Sequence, residues 1–327
     1  MNYSSLISQS WRLVWRRKSL IALAFLSILA SSLAYVAVYT GFIALFFSTP
    51  FFFTRLTGLG FSELGLSSGG PLAYGAMAAS ALGWLLLWFV GLSARGGLIA
   101  SVDAHEDGRP LGLGGAFGRG WRRALTLAAM AFLLYLPVIV MTLIGQVLVI
   151  SQFPEFLTMN EAEMMSRMMS IYALSCSLSV LTYGLMAFLQ FIYAFAFRGV
   201  VLGNLGVVAS IRHGWRVVRG NIGDILPLAM IYGGILLALI IIWYIAFFAL
   251  YFVVIFALAM GGGDMSAPLL VALGAGFLVL LLLTFVVGAI ALAWRSAAFT
   301  IGYRHWIAEK PVVVKEEDST DFTDGTD

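Results

Sequence analysis

Three Trp-Arg pairs, Trp11-Arg12, Trp121-Arg122 and Trp215-Arg216, each stand at the foot of a long apolar run. Further arginines accompany them: Arg16 in the first foot, Arg123 in the second, Arg212 and Arg219 in the third. Tryptophan settles at the membrane–water boundary because its ring is apolar and its N–H polar, while a guanidinium matches a phosphate with two parallel hydrogen bonds. These residues are candidate contacts for anionic lipid headgroups. The positive-inside rule alone also demands arginine at such positions, so orientation is the competing reason for them.

Other chemistry is sparse. Asp103, His105, Glu106 and Asp107 form the densest group of metal-ligand types, but they are near-consecutive beside glycines and match no zinc spacing. A solvated loop is the expectation there, with no metal and no cofactor. His105, His213 and His305 fall one in each of three basic segments; His213 and His305 neighbour Trp and Arg, which suits interfacial anchors better than a ligand set. Gln146, Gln190 and Thr182 are polar residues in apolar runs, expected as helix–helix contacts more than as a transport path. The spans, read as ending at the arginines, hold no ionisable residue between their ends, which argues against ion-coupled transport. No nucleophile–base pair or paired carboxylate points to an enzyme.

The elements that must hold these residues follow from composition. Of 327 residues, 61% are hydrophobic and 11% charged, too few polar groups to clothe a soluble globule. The expectation is an all-α polytopic membrane protein of six transmembrane helices, arranged as three hairpin repeats of about 1–100, 101–204 and 205–309. Each repeat opens on a short interfacial amphipathic helix and closes on an arginine followed by small residues: Arg95-Gly96-Gly97, Arg198-Gly199 and Arg295-Ser296-Ala297. Between Asp107 and Arg123 glycines are too frequent for one regular helix, and only Phe117 with Trp121 at i+4 suggests a helical turn. In the second span Gly75, Ala79 and Gly83 recur at four-residue spacing, which predicts a face for close helix packing. Loops are expected around Pro50 to Gly60 and at Gly261–Gly263, and residues 310–327 read as a disordered acidic tail.

Lysine and arginine number 4, 5, 4 and 4 in the N-terminal, 95–123, 198–224 and C-terminal segments, against one each around Arg55 and Arg167. That asymmetry places both termini in the cytoplasm, in the plasma membrane of a prokaryote. Basic residues gather beside apolar spans, so membrane lipids, not nucleic acid, are the expected partner, with a protein partner or homo-oligomer alongside. Cys176 is the lone cysteine and forms no internal disulfide.

The stretches Gly214–Leu228 (GWRVVRGNIGDILPL), Ser10–Leu23 (SWRLVWRRKSLIAL) and Asp107–Arg123 (DGRPLGLGGAFGRGWRR) resemble the six-span bacterial and archaeal proteins related to the glycerophosphoryl diester phosphodiesterase membrane domain and neighbouring families. Members that hydrolyse phosphodiesters do so with a separate soluble domain, which this chain has no stretch to form. The resemblance therefore implies a membrane module and carries over no catalytic residue. A non-enzymatic scaffold or accessory module engaging lipid headgroups or a partner is the leading expectation, with a permease or lipid-handling conduit as the alternative.

Overall fold

The computed structural model describes residues 3–48, 71–156, 161–260 and 267–309. Among them every regular element is helical: α1 (Tyr3–Arg16), α2 (Lys18–Ser48), α3 (Pro71–Glu106), α4 (Leu113–Arg122), α5 (Ala124–Phe156), α6 (Glu161–Val201), α7 (Val207–Gly220), α8 (Ile222–Met260) and α9 (Ala267–Glu309). Six of these, α2, α3, α5, α6, α8 and α9, are long and apolar enough to cross a membrane. The fold is all-α and multi-pass. In hydrocarbon a chain must satisfy its own backbone polar groups, and uninterrupted runs of Leu, Ala, Ile and Phe do so as helices apolar on all sides. The feet behave differently: α1, α4 and α7 are 14, 10 and 14 residues long and have one apolar face each.

The closing arginines do not end their helices. Helix α3 continues past Arg95 to Glu106, α6 past Arg198 to Val201, and α9 past Arg295 to Glu309. At about 1.5 Å per residue the 36, 41 and 43 residues of α3, α6 and α9 exceed the ~30 Å of hydrocarbon by a wide margin. The reason for the extension is packing. Beyond the arginines lie Leu98, Val102, Val200, Ala297, Ala298 and Ile301, all buried.

Burial is confined to one end of the bundle, the end that carries the basic feet. No described residue is buried beyond Ala34 in α2, before Gly91 in α3, beyond Leu134 in α5, before Leu189 in α6, beyond Tyr232 in α8 or before Ala289 in α9. At the basic end α9 is the pillar. Its Ala289, Ala293, Ala297, Phe299, Tyr303 and Trp306 meet Leu13 and Val14 of α1, Leu20 and Leu23 of α2, Phe195 of α6 and Leu228 of α8 in one core. A second, smaller core joins Leu92 and Ile99 of α3, Leu127 and Met130 of α5, and Phe197 and Val200 of α6.

The expected packing face of the second span needs correction. A Cβ added at Gly75 or Gly83 would meet nothing within 4 Å, and Ala79 is exposed. Within this chain the tight seam lies further along the same helix, at Gly91, Gly96 and Gly97, where α2, α4 and α5 come close. The expected loops around Pro50 to Gly60 and at Gly261–Gly263, and the tail 310–327, lie outside the described residues.

Candidate functional site at the basic end of the bundle

The three feet are seated alike. In each, the residue before the Trp-Arg pair is small and fully buried: Ser10, Gly120 and Gly214. Gly120 of α4 lies on the α3 backbone so closely that an added Cβ would strike the Ser93 carbonyl oxygen and come within 2.6 Å of Gly97 N. Gly214 of α7 repeats this on α6, where a Cβ would fall 2.7 Å from Ile192 O and from Ala196 N. Ser10 of α1 takes the same place against α9 with a hydroxyl in the contact: it donates to Ile7 O at 2.9 Å and accepts from Trp294 Nε1 at 3.1 Å. The Trp11 ring meets Trp294 edge-on at 4.9 Å. Each foot thus rests on the closing span of the hairpin before it, with α1 resting on the last one.

Seating the small residue inward turns its neighbours outward. Trp11, Trp121 and Trp215 keep 39%, 52% and 41% of their surface exposed, large values for so apolar a ring. Arg12, Arg16, Arg122, Arg212, Arg216 and Arg219 are exposed as well, and Arg123 is half-buried. The glycine-rich stretch before Arg123 does fold, as the ten-residue α4, with the Phe117 and Trp121 rings stacked at 6.0 Å. Arg12 and Arg16 line a cavity of about 270 Å³ with Gln9, Leu13, His105 and Glu106, between α1 and the end of α3. That cavity offers a ligand two guanidinium groups, one imidazole and one carboxylate.

The acidic group at the end of α3 is not a solvated loop. Asp103 lies within the helix and binds Arg304 of α9 at 3.0 Å, and Asp107 binds the same guanidinium at 2.7 Å. Among the described residues no three His, Cys, Asp or Glu side chains come together as a metal-holding group. The histidines stay apart in role: His105 faces the cavity, His305 is exposed, and His213 Nε2 shares a 2.8 Å hydrogen bond with the Tyr303 hydroxyl. Burial holds the His213 pKa below its ordinary value, and the charge of Arg216 on the same helix pushes the same way. Gln146 and Gln190 are exposed, while the Thr182 hydroxyl donates to Leu178 O within its own helix at 2.8 Å.

Reading the closing arginines as span ends missed their role in the interior. Arg198 is 4% exposed. It donates from Nε to Thr300 Oγ1 and from Nη2 to Ser296 O at 3.2 Å each, and from Nη1 to Ala194 O, with its guanidinium near the Phe195 and Phe299 rings. Every one of those partners is neutral. Arg95 is half-buried and donates from Nε to Ser27 Oγ at 3.0 Å, beside Tyr135 and Tyr193. Arg295 is exposed and within electrostatic range of Arg95 and of Arg198. A sequence signal for this arrangement exists. The motif small-x-Arg-small occurs as Ser93-Ala94-Arg95-Gly96, Ala196-Phe197-Arg198-Gly199 and Ala293-Trp294-Arg295-Ser296, and a flanking small pair is what an arginine between packed helices requires.

Compared with protein-family models, curated proteins and solved structures, the chain matches none.

Proposed function

We propose that this chain is a non-enzymatic membrane module of three repeats, about 1–100, 101–204 and 205–309, that gathers anionic lipid headgroups and offers the resulting face to a protein partner or a second copy. The reading places that face on the cytoplasmic side of a prokaryotic plasma membrane, because the basic segments lie at that end. The observation that carries it is the seating of the feet: a small buried residue fixes each helix, and the adjoining Trp and Arg are held outward together. Fixed arginines spare the ordering cost that a flexible basic tail meets when it binds phosphate. The Arg12 and Arg16 guanidinium groups in the cavity on the same face suit a headgroup phosphate.

Replacing Arg212, Arg216 and Arg219 together with Gln tests the reading. Each arginine near an anionic surface contributes about 1 kcal/mol, so the triple variant is expected to hold anionic lipid on the order of 100-fold more weakly. Native mass spectrometry of the purified protein in mild detergent, with phosphatidylglycerol added, measures this directly. Membrane orientation is expected to survive, since the other basic segments are intact. Unchanged lipid retention would mean that the feet serve orientation alone.

A further inference from the structure

Arg95, Arg198 and Arg295 occupy matching places in three closing spans, and no carboxylate of a described residue pairs with any of them. Of the acids that follow Arg95 on the same stretch, Asp103 and Asp107 are taken by Arg304, and Glu106 lines the cavity at Arg12 and Arg16. A guanidinium keeps its proton, so a buried or half-buried one calls for an anion or for water. Arg295 repels both Arg95 and Arg198. Like charges brought together by a fold weaken it unless something negative joins them.

A second observation points to the same spot. The Tyr135 hydroxyl is buried with no hydrogen-bond partner, an unfavourable state for a polar group out of water. Its ring lies 5.6 Å from that of Tyr193, and both tyrosines fall within range of Arg95. Tyr193 has Arg95 as a hydrogen-bond partner, but Ser27 does not relieve Tyr135. Its oxygen accepts from Arg95 Nε, and its proton goes to Gly91 O at 3.2 Å. The place therefore gathers the guanidinium N–H groups of Arg95, which serve Ser27 and Tyr193, and a Tyr135 hydroxyl left without a partner.

Depth narrows the ligand. If the span starts at Pro71, as the sequence predicts, Arg95 lies about 36 Å along α3, past the ~30 Å hydrocarbon layer and at headgroup level on the basic side. Arg295 is exposed and leaves the group open on one flank. A phosphate suits such a place, because its several oxygens accept from guanidinium and phenol donors at once.

We propose that Arg95 and Tyr135 form an interior binding site for a phosphate oxyanion, supplied by the phosphodiester of an anionic phospholipid or by free phosphate, with Tyr193 beside it and Arg295 at its open flank. None of these residues belongs to the feet, so the site stands whether or not the feet collect lipid.

The test uses the full-length protein in mild detergent with two probes: phosphatidylglycerol, followed by native mass spectrometry, and inorganic phosphate, followed by thermal unfolding against chloride at equal ionic strength. Wild type is expected to hold one phosphatidylglycerol that Arg95→Gln binds about tenfold more weakly, the loss of one charge-assisted contact. Tyr135→Phe removes only the unpartnered hydroxyl; it is expected to melt no lower than wild type and still bind the probe several-fold more weakly. It keeps the question open to decision if Arg95→Gln fails to fold. The Arg212, Arg216 and Arg219 triple variant is expected to keep this one tightly held molecule, which separates the interior site from the feet. Retention of lipid without a response to inorganic phosphate assigns the headgroup, whereas stabilisation by phosphate that Tyr135→Phe reduces assigns the free anion. Equal binding of both probes by Tyr135→Phe and wild type, or binding of neither probe by wild type, overturns the proposal.

Discussion

The two ends of the bundle are built from equally apolar helices and do opposite things with them. At the basic end α9 buries Ala289, Ala293, Ala297, Ala298 and Thr300 in the core it shares with α1, α2, α6 and α8. At the other end the same helix exposes Phe277, Leu278, Leu282 and Leu283, and α8 exposes Ile241, Ile242, Phe252 and Phe256. The difference lies in side-chain size and in hydroxyls. Lipid tails are as apolar as leucine, so bulky aliphatic residues gain little by facing another helix instead of lipid. Small residues let backbones approach, and Ser10, Ser27, Ser93 and Ser210, all buried, bond across or along the helices they touch. Association at the basic end also has α1, α4 and α7 to wedge between the long helices, whereas the described residues of the opposite end have no such element.

The sharpest way to break the comparison is to place the same side chain at both ends. Gly120→Leu must push against the backbone of Ser93 and Gly97, which has no rotamer to yield. The expected outcome is loss of folded, monodisperse protein, at least about 5 kcal/mol and so comparable to a whole domain's stability. Gly83→Leu, with nothing within 4 Å, is expected to change the detergent unfolding temperature little. A melting point for Gly120→Leu close to that of wild type would show that α4 is not seated on α3. A deletion makes the next contrast. Phe195 is fully buried among Phe299, Tyr303 and Trp306, and Phe195→Ala is expected to cost about 3–5 kcal/mol. Phe252→Ala, at a side chain 66% exposed, is expected to stay within about 0.5 kcal/mol, read by the same unfolding measurement.

This contrast also separates what the sequence discloses from what it conceals. The six spans and three feet are legible because their signals are local: an apolar run longer than a bilayer is thick, or Trp-Arg ahead of one. The packing seam is not. Gly75, Ala79 and Gly83 look as suitable as Gly91, Gly96 and Gly97, and the choice depends on where the long helices part company, a property of the whole bundle. The closing arginines mislead for a related reason. A charge ordinarily ends a span, but here the helices continue for one to four turns because α1, α4 and α7 cover them. Asp103 and Asp107 read as solvated for want of any sign that Arg304, some two hundred residues on, sits above them.

The smallest expected effect lies within the basic end, where α7 meets α9. His213 Nε2 and the Tyr303 hydroxyl share a 2.8 Å hydrogen bond, their rings edge-on at 5.9 Å, and an added Cβ on Gly199 of α6 would lie 3.2 Å from the imidazole. Burial disfavours the charged imidazole first, and Arg216 adds to this, so the folded protein binds a proton at His213 less readily than the unfolded chain does. The sign follows from proton linkage. Above the unfolded histidine value of about 6.5 both states are neutral there and the contact keeps its full stability. As pH falls below that value the unfolded chain takes up its proton first, and stability declines until the folded pKa is passed. Wild type is therefore expected to lose thermal stability between neutral pH and moderately acid pH. His213→Gln keeps a side chain able to bond Tyr303 while removing the titration, and should flatten that part of the profile. An identical slope in the variant would move the pH dependence elsewhere in the bundle and leave the α7–α9 contact without a protonation cost.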